Sequence, residues 1–350
     1  MQVENASDKN NDFLATNAVS SGIYLDKRTI KKIANRSDIP GIIFISKLSL
    51  FLILSGYLIW LSIGSFWLLP ALLFFGTFLT LSSYSLSHET AHGTAFKSRT
   101  LNEIVFWISS LIYMEEPLHR RYTHTNHHTY TWHIGKDTQM PFDTPMTFSG
   151  WLIEFSGFAT YRYQFIVFWK LLFNNYSLIM LSVIPKKKLY WATLNARVFI
   201  FIYLCGIICI CCGIMWPLWF FFLPRILGTP IYALFALIQH VELQENSPSI
   251  LESTRSFDTG WLAKFLYMNM NYHVEHHLYP QIPFHALPEL HKKVKNQLPK
   301  PDPGFWKTNF EVLTVVINRS LGKSTKASNI RQSPNMVTNG SYANISKKSF

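Results

Sequence analysis

Three short histidine clusters stand out in this chain: His88-Glu-Thr-Ala-His92, His124-Thr-Asn-His127-His128 and His273-Val-Glu-His276-His277. Together they hold eight of its thirteen histidines. Residues three or four positions apart share one face of a helix, so each cluster predicts two or three imidazoles that point in one direction. Imidazole is the commonest side-chain ligand for transition metals. The clusters therefore predict a metal site.

Four long apolar runs lie beside these clusters, at about residues 42–63, 66–87, 198–216 and 218–238. Each is close to the ~20 residues that a helix needs to cross a bilayer. The chain of 350 residues is 49% hydrophobic and only 15% charged, whereas soluble proteins are about one quarter charged. These features predict an all-α, multi-pass integral membrane protein with four transmembrane helices.

The placement of charge predicts which ends of these helices share a side of the membrane. Basic residues gather at positions 27–32, 120–121 and 186–188, whereas the turns within the first and the second pair of runs carry no charge. Basic loops stay in the cytoplasm under the positive-inside rule. The expected architecture is two helical hairpins with a cytoplasmic helical cap, which holds a His-rich dimetal site. The membrane would be the endoplasmic reticulum or a bacterial inner membrane.

The net charge of +12 at pH 7 does not indicate a nucleic-acid partner. A nucleic-acid-binding protein carries its basic residues as a stripe on a recognisable binding fold. Here they flank apolar runs, which is typical of cations that face anionic lipid headgroups.

Composition divides the chain into three parts. Residues 1–38 are polar and are expected to form a cytoplasmic N-terminal segment. Residues 39–313 are expected to form the membrane catalytic domain. Residues 320–350 are rich in Ser, Asn and Lys and are expected to be a disordered basic tail.

Several side chains within or near the apolar runs also give expectations. Pro224 and Arg225 predict a kink in the fourth run, with the arginine reaching protein or the interface in place of lipid. The cysteines are expected to be small buried hydrophobic residues, and four tryptophans to anchor the membrane interface. These residues are Cys205, Cys209, Cys211, Cys212, Trp132, Trp151, Trp216 and Trp261.

A ninth candidate ligand, His240, ends the fourth apolar run and so lies at the same membrane depth as the clusters. Nine imidazoles are too many for one metal ion with about four to six positions, whereas two neighbouring ions can use them. Nitrogen ligands alone do not identify the metal. The predicted ligands are His88, His92, His124, His127, His128, His240, His273, His276 and His277.

Carboxylates near the clusters could hold the far ring nitrogen of a ligand histidine and so orient it. The candidates are Glu89, Asp137, Glu242 and Glu275, although Glu242 and Glu275 could equally be solvated or paired with lysines. The other histidines near the clusters are expected to be structural or surface groups; they are His119, His133, His285 and His291.

The order and spacing of the clusters resemble a known family. The patterns HxxxH, HxxHH and HxxHH follow one another, and residues 269–280, Asn-Met-Asn-Tyr-His-Val-Glu-His-His-Leu-Tyr-Pro, extend the match. Over roughly residues 25 to 313 the chain resembles the membrane fatty acid desaturase superfamily, the histidine-box di-iron enzymes. The resemblance implies two iron ions on the cluster histidines and His240, activation of O2, and oxidation of an acyl chain by a fatty acid desaturase.

Some features depart from parts of that family. The first cluster has three residues between its histidines where the acyl-CoA stearoyl type has four, and the third begins with His273 where front-end desaturases have glutamine. No fused cytochrome b5 module is visible. These differences place the chain nearest the acyl-lipid or bacterial-type branch. Ala236 stands where some relatives have an asparagine that binds iron through water.

The sequence carries no flavin or nicotinamide fingerprint and no iron–sulfur cysteine pattern. Electrons are therefore expected from an external donor, cytochrome b5 or ferredoxin with its reductase. Lys264, Lys292, Lys293 and Lys295 form a basic surface that could steer such an acidic carrier or equally lie on the membrane. The expected substrate is a membrane lipid or an acyl thioester.

Two alternatives keep the same di-iron site: hydroxylation of a lipid, and decarboxylation of a fatty acid to a terminal alkene. Sequence does not separate these outcomes from desaturation. More distant alternatives are a metal transporter and a zinc-dependent membrane hydrolase. Transporters place ligands near the bilayer midplane, and a catalytic zinc needs about three protein ligands, so the nine candidates at the ends of spans favour neither.

Overall fold

The computed structural model describes residues 16–140, 144–302 and 304–323. In these ranges the regular structure is helical, and extended pairing is limited to an isolated bridge between Phe257 and Asp302. The predicted helical fold is thus confirmed for the described residues. The α-helices are α1 (Thr16–Ser20), α2 (Lys27–Ile33), α3 (Asp38–Ser62), α4 (Leu68–Ala91), α5 (Arg99–Tyr113), α6 (Pro117–Tyr130), α7 (Phe148–Phe155), α8 (Phe158–Leu172), α9 (Leu178–Val183), α10 (Lys186–Cys211), α11 (Leu223–Leu227), α12 (Thr229–Leu237), α13 (Ile250–Ser253), α14 (Trp261–Leu266), α15 (His273–Leu278), α16 (Leu287–Val294) and α17 (Phe305–Ser320).

Among the described residues, four helical stretches are long and apolar enough to cross a membrane, as predicted: α3, α4, α10 and the stretch Leu218–Leu237, which contains α11 and α12. α3 packs on α4, with the Phe51 and Phe78 ring centroids 5.3 Å apart. α10 contacts the fourth stretch through Tyr203 and Phe221, whose ring centroids are 6.0 Å apart.

The third span is displaced toward the N-terminus relative to the prediction. It begins at Lys186, whereas residue 198 was predicted, and it ends at Cys211, whereas residue 216 was predicted. Polar residues between 186 and 197 conceal this start from a hydropathy scan. Asn195 shows why they are tolerated. Its amide donates to Glu116 Oε1 at 3.0 Å, and its oxygen accepts from the Trp107 indole at 3.4 Å. The Asn195 side chain is therefore hydrogen-bonded within the protein, whereas a hydropathy scan treats asparagine as a residue exposed to water.

The fourth span is interrupted, as Pro224 and Arg225 predict. It begins with a π-helical turn, Leu218–Phe222, and α11 ends one residue before the glycine that precedes α12. Arg225 is fully buried and donates to the Tyr113 carbonyl at 2.8 Å and to Thr229 Oγ1 at 2.8 Å. The prediction that this arginine reaches protein in place of lipid is confirmed.

The predicted burial of the cysteines is wrong. Cys205, Cys211 and Cys212 are exposed on the protein surface and Cys209 is half-buried. Little of α10's apolar part is covered by the rest of the protein. A membrane span can be apolar because lipid surrounds it, so apolar composition alone does not predict burial inside the protein.

The interface-anchor prediction is wrong for two of the four tryptophans. Trp132 and Trp151 are buried, with 3% and 8% of their surface exposed, whereas Trp216 and Trp261 are exposed. Trp132 is the second residue after α6, the helix that carries the second histidine cluster, and it is buried inside the protein.

The histidine clusters lie on elements that converge. His88 lies in the last turn of α4 and His92 directly follows it, the second cluster lies along α6, the third forms the start of α15, and His240 follows α12. α6 begins at Pro117, where the missing backbone N–H costs nothing. Its N-cap Glu116 accepts from the backbone N–H of His119 at 2.6 Å.

Helices are present near both ends of the described chain. The predicted polar segment 1–38 contains α1 and α2 in its described part, while residues 1–15 lie outside the described residues. α17 runs past residue 313 to Ser320, whose hydroxyl accepts from the Phe148 N–H at 3.1 Å. Residues 324–350, most of the predicted tail, also lie outside the described residues, so the tail stays a prediction, as do the domain boundaries.

Two glycines allow the second and fourth spans to approach closely. A Cβ added at Gly76 would lie 2.3 Å from the Pro224 carbonyl oxygen, and one added at Gly228 would lie 2.0 Å from the Gly76 carbonyl oxygen. Both neighbours are backbone atoms, so no side-chain rotation relieves the clash. Because α4 also carries His88, this contact positions the first cluster relative to His240.

We predict that Gly76→Ala lowers the melting temperature of the purified protein in detergent, because overpacking costs about 1–3 kcal/mol. Gly260→Ala is the matched control, since nothing lies within 4 Å of the Cβ added there. Tryptophan fluorescence melts measure both. Equal melting temperatures for the two variants would contradict the close contact.

Candidate metal centre

The structure brings all nine predicted ligands together in two groups. The five-histidine group contains His88, His92, His124, His128 and His276, and the four-histidine group contains His127, His240, His273 and His277. Within each group one ring nitrogen of every histidine lies within 4.8 Å of all the others. The groups are neighbours, because the His128 and His277 rings stack with centroids 4.2 Å apart.

Each HxxHH cluster divides between the two groups in a reciprocal way. His124 and His128 belong to the five-histidine group, while His127 belongs to the other. In the third cluster the first and last histidines belong to the four-histidine group, while His276 belongs to the other. On a helix with about 100° per residue, the i+3 and i+4 side chains lie on opposite sides of residue i. One cluster can therefore reach two positions at once.

Hydrogen bonding cannot account for the contacts in the five-histidine group. His124 Nε2 lies 3.0 Å from His92 Nε2 and 3.1 Å from both His88 Nε2 and His128 Nε2. A neutral imidazole nitrogen carries one proton or one lone pair, so it can pair with one of these three atoms. The remaining nitrogens would meet without a proton between them. A cation among them resolves this arrangement.

The spacing of the nitrogens matches that of ligands on a shared ion. In the four-histidine group His273 Nε2 lies 3.0 Å from His240 Nε2 and 3.1 Å from His277 Nε2. Two imidazole nitrogens at right angles around a metal ~2.1 Å from each would be about 3.0 Å apart. The donor set present therefore fits a metal ion in each group.

Burial lowers the pKa of several of these imidazoles. It lowers the pKa of His124 well below its ordinary value, with further lowering by the neighbouring His88 and His128. It also lowers the pKa of His240 and that of His276 to about 3. The neutral imidazole is the form that binds a metal, so these lowered pKa values favour metal binding by His124, His240 and His276.

The outer nitrogens of several ligands are held by groups that fix the tautomer. His124 Nδ1 donates to Gln139 Oε1 at 3.0 Å, and His240 Nδ1 donates to the Ser253 carbonyl at 2.9 Å. With the proton on Nδ1, the Nε2 lone pair is free for a metal. The Trp132 ring also stacks on His240, with centroids 5.4 Å apart and 23° between the planes.

A cavity of about 270 Å³ opens onto both groups. Its lining includes His88 and His124 from the five-histidine group and His127, His240 and His273 from the four-histidine group. Side chains of α4, α5, α7, α8 and α12 complete its wall; they include Tyr84, Tyr113, Glu154, Tyr163, Tyr232 and Ala236.

A family model for fatty acid desaturases matches residues 64–309. The chain belongs to the fatty acid desaturase family. The match spans all nine candidate ligands and confirms the resemblance noted in the sequence. Comparison with curated proteins gives no match. The family is one of di-iron enzymes, and this chain has two histidine groups whose donor atoms can hold metal ions.

Among the four carboxylates predicted to orient ligands in this desaturase-family chain, Asp137 does so. Its Oδ2 accepts from His127 Nδ1 at 2.8 Å and from the Trp132 N–H at 2.8 Å. The prediction is wrong for the other three, and so is the alternative of lysine partners. Glu89 accepts from Thr94 and the Phe284 N–H, Glu242 pairs with Arg319, and Glu275 accepts from Ser256 and pairs with His291.

Sequence reasoning misses several residues that hold the ligands of this desaturase-family site. Gln139 lies in the polar loop with Asp137, and that proximity could have identified it. Ser253 acts through its backbone, which leaves no signal in the sequence. Thr131 donates to the His127 carbonyl at 2.7 Å, so its oxygen is left to accept from His277 Nδ1 at 3.1 Å.

Arg120 contacts the site in a different way. Its Nη2 lies 3.4 Å from His88 Nδ1, and its Nε lies 3.7 Å from Glu115 Oε1. A guanidinium can only donate, so it cannot accept a hydrogen bond from His88 Nδ1 as the Asp137 carboxylate does from His127 Nδ1. The five-histidine group therefore has a cation beside one ligand, while the four-histidine group has a carboxylate.

The N-terminal segment also reaches the site. Asn17 Nδ2 donates to the His128 carbonyl at 2.8 Å and to the His277 carbonyl at 3.2 Å. One side chain on α1 thus ties α6 to α15 and joins the two histidine groups. The sequence gives no motif for this contact.

We predict that Asp137→Asn lowers metal affinity about ten- to hundredfold, because the carboxylate that orients the His127 ring is lost. Competition with a chelator, followed by metal analysis, measures the effect. Glu242→Gln is the matched control, because Glu242 pairs with Arg319 and contacts no ligand histidine among the described residues. Equal metal retention by the two variants would contradict the role of Asp137.

Proposed function

We propose that this chain is an O2-dependent di-iron oxidoreductase that introduces a double bond into a fatty acyl chain. The observation that carries the proposal is the cavity that opens onto both histidine groups, because a substrate within it would lie beside both ions. We also propose that the enzyme belongs nearest the acyl-lipid or bacterial-type branch of the family.

Two bound iron ions would supply activation of O2 and removal of hydrogen from an unactivated C–H bond. The balanced reaction is R–CH2–CH2–R′ + O2 + 2 e⁻ + 2 H⁺ → R–CH=CH–R′ + 2 H2O. The acyl chain loses two hydrogen atoms, an external donor supplies two electrons, and O2 is reduced to water.

The residues of the chain hold the ions and shape the substrate channel. The five-histidine and four-histidine groups each hold one ion. Asp137, Gln139 and the Ser253 carbonyl keep the Nε2 lone pairs directed inward. Aromatic walls such as Tyr84 and Tyr232 line the cavity and exclude water from the acyl chain.

The membrane arrangement belongs to the same proposal. Contacts within the first pair of spans and within the second pair support two hairpins, and the histidine groups at the ends of spans support a cap on one side. We place that side in the cytoplasm of the endoplasmic reticulum or of a bacterium. The substrate is a membrane lipid or an acyl thioester, and cytochrome b5 or ferredoxin with its reductase supplies the electrons.

Hydroxylation and decarboxylation to a terminal alkene would use the same residues. Expression in a desaturase-deficient host followed by gas chromatography of its lipids tests the choice. A new double bond in an acyl chain that keeps all its carbon atoms supports desaturation, whereas an alcohol, or a terminal alkene one carbon shorter, as the sole product overturns it in favour of the corresponding reaction.

We predict that His124→Ala lowers turnover by more than about a hundredfold, because its Nε2 lies at the centre of the five-histidine group. His285→Ala is the matched control, since His285 belongs to neither group. Product formation by each purified variant measures the difference. Full activity of the His124→Ala variant would contradict the assignment of His124 as a metal ligand.

We predict two iron ions per chain in the purified protein, because nine imidazoles form two donor sets. Removal of the metal by a chelator should abolish turnover, and ferrous iron should restore it. Metal analysis with and without reconstitution provides the measurement. One tightly bound zinc would instead favour a membrane hydrolase, and a readily exchanging ion would favour a transporter.

A further inference from the structure

The outer side of α8 and α9 exposes large apolar side chains. On α8, Phe165, Trp169 and Phe173 are exposed, and successive ring centroids lie 6.0 Å and 4.9 Å apart. On α9, Leu178 and Leu181 are 86% and 50% exposed. We term these five side chains the α8–α9 apolar face. Neither helix is among the four candidate spans, so the face needs an explanation of its own.

The opposite side of α8 packs on the third span. The Phe168 ring lies 6.3 Å from the Phe199 ring and 6.1 Å from the Tyr203 ring, measured between centroids, and both partners belong to α10. Val167 and Leu171 are buried beside Phe168. The apolar face therefore points away from the protein core, next to a helix that can cross the membrane.

The charges in this part of the chain have one sign. Residues 155–241 contain no aspartate or glutamate. Their basic residues are Arg162, Lys170, Lys186, Lys187, Lys188, Arg197 and Arg225. Apart from buried Arg225 and half-buried Lys170, these cations are exposed. Cations beside exposed apolar side chains complement a bilayer that has anionic headgroups above its hydrocarbon.

The start of α10 shows the level at which the membrane surface lies. The exposed lysines at 186–188 are followed by Tyr190 and Trp191, which are also exposed, and then by the apolar part of the helix. Lysine, then aromatic, then apolar residues are the order typical of a span that enters the membrane. α9 ends three residues before α10 begins, so α9 lies at the same level.

The substrate cavity reaches the protein surface on α9. Ile179 on α9 and Gln164 on α8 both line the cavity. Among the described residues that line it, Ile179 is the most exposed, at 40%. Leu178, its neighbour in the chain, belongs to the α8–α9 apolar face. The cavity therefore opens beside this face.

We propose that the α8–α9 apolar face lies in a bilayer that contains anionic lipid, and that an acyl chain enters the cavity from this bilayer beside Ile179. The inference rests on the proposed function and names the source of its substrate: a chain dissolved in the membrane. A soluble acidic protein would also complement the cations. It would not offer hydrocarbon to rings such as Phe165 and Trp169.

Spin labels test the contact with hydrocarbon. The full chain, with its four cysteines changed to serine, carries one label at Trp169→Cys and is reconstituted in nanodiscs that contain phosphatidylglycerol. Collisions with O2, which concentrates in hydrocarbon, should exceed collisions with a water-soluble nickel chelate. A label at Lys136→Cys, in an exposed polar loop, is the control and should show the reverse. More nickel than O2 collisions at position 169 would overturn the proposal.

Spin-labelled lipids test the charge preference. Phosphatidylglycerol should associate with the wild-type protein more tightly than phosphatidylcholine does. The triple variant Lys186→Gln, Lys187→Gln, Lys188→Gln should lose much of this preference, because each basic residue near the surface attracts anionic lipid. Equal association of the two lipids with wild type would overturn the preference for anionic lipid.

Photo-cross-linking tests the entrance. The probe is a hexadecanoic acid with a diazirine in its chain, added to the reconstituted protein and irradiated at increasing times after mixing. Mass spectrometry then locates the cross-links. Wild type should be cross-linked both on the α8–α9 apolar face and at cavity-lining residues such as Tyr232 and Ala233.

Ile179→Trp should lose the early cross-links in the cavity and keep those on the apolar face, because a larger side chain narrows the opening. Ile179→Ala should gain early cavity cross-links. Ile104→Trp, at an exposed position on α5 that does not line the cavity, is the matched control and should behave as wild type. Cavity cross-links that form in Ile179→Trp as fast as in wild type would overturn the proposed entrance.

The outcome is distinguishable from failure of the proposed function, because cross-linking is carried out without an electron donor. Cavity cross-links that depend on Ile179, together with no oxidised product during turnover, would overturn the function and leave this inference standing. Desaturation by Ile179→Trp at the wild-type rate, with unchanged cavity cross-links, would keep the function and overturn the inference.

Discussion

The structure depends on one electrostatic constraint: imidazole nitrogens converge at separations that hydrogen bonds cannot satisfy. Nε2 atoms within each group lie about as close as ligands around one ion, and burial lowers the pKa of His124 and of His240. A metal ion in each group would remove the repulsion between lone pairs. Since a preformed site rarely persists in an unfolded chain, metal binding would also contribute free energy to folding.

That constraint explains why distant parts of the chain are fixed so closely. The candidate ligands lie on or next to α4, α6 and α15, and His240 follows α12. Displacement of any one of these elements would move a histidine out of its group. Gly76 and Gly228 let α4 approach the fourth span, while buried Arg225 bonds that span to Tyr113. Asn17 joins α6 to α15 from outside the spans. The apolar helices thus provide a frame for the polar site.

The sequence was sufficient to predict the helical fold and four candidate spans, because these follow from local spacing and composition. The nine histidines named as ligands do lie together, but the sequence did not predict which of the two groups each one joins. In HxxHH the third and fourth positions after the first histidine diverge around the helix, so helix placement decides the assignment of His127 and His276. The start of α10 was also missed because it depends on tertiary contacts. Asn195 is polar, and its hydrogen-bond partners Glu116 and Trp107 are remote in sequence.

Polar atoms without protein partners connect the metal centre to the rest of the cavity. Lone pairs that converge on one point require a cation, whereas Gln164 Oε1 and Gln239 Nε2 are separate buried atoms of cavity-lining residues that have no hydrogen-bond partner among the described residues. One of these atoms accepts and the other donates, so the cavity offers both kinds of polar position beside the two histidine groups.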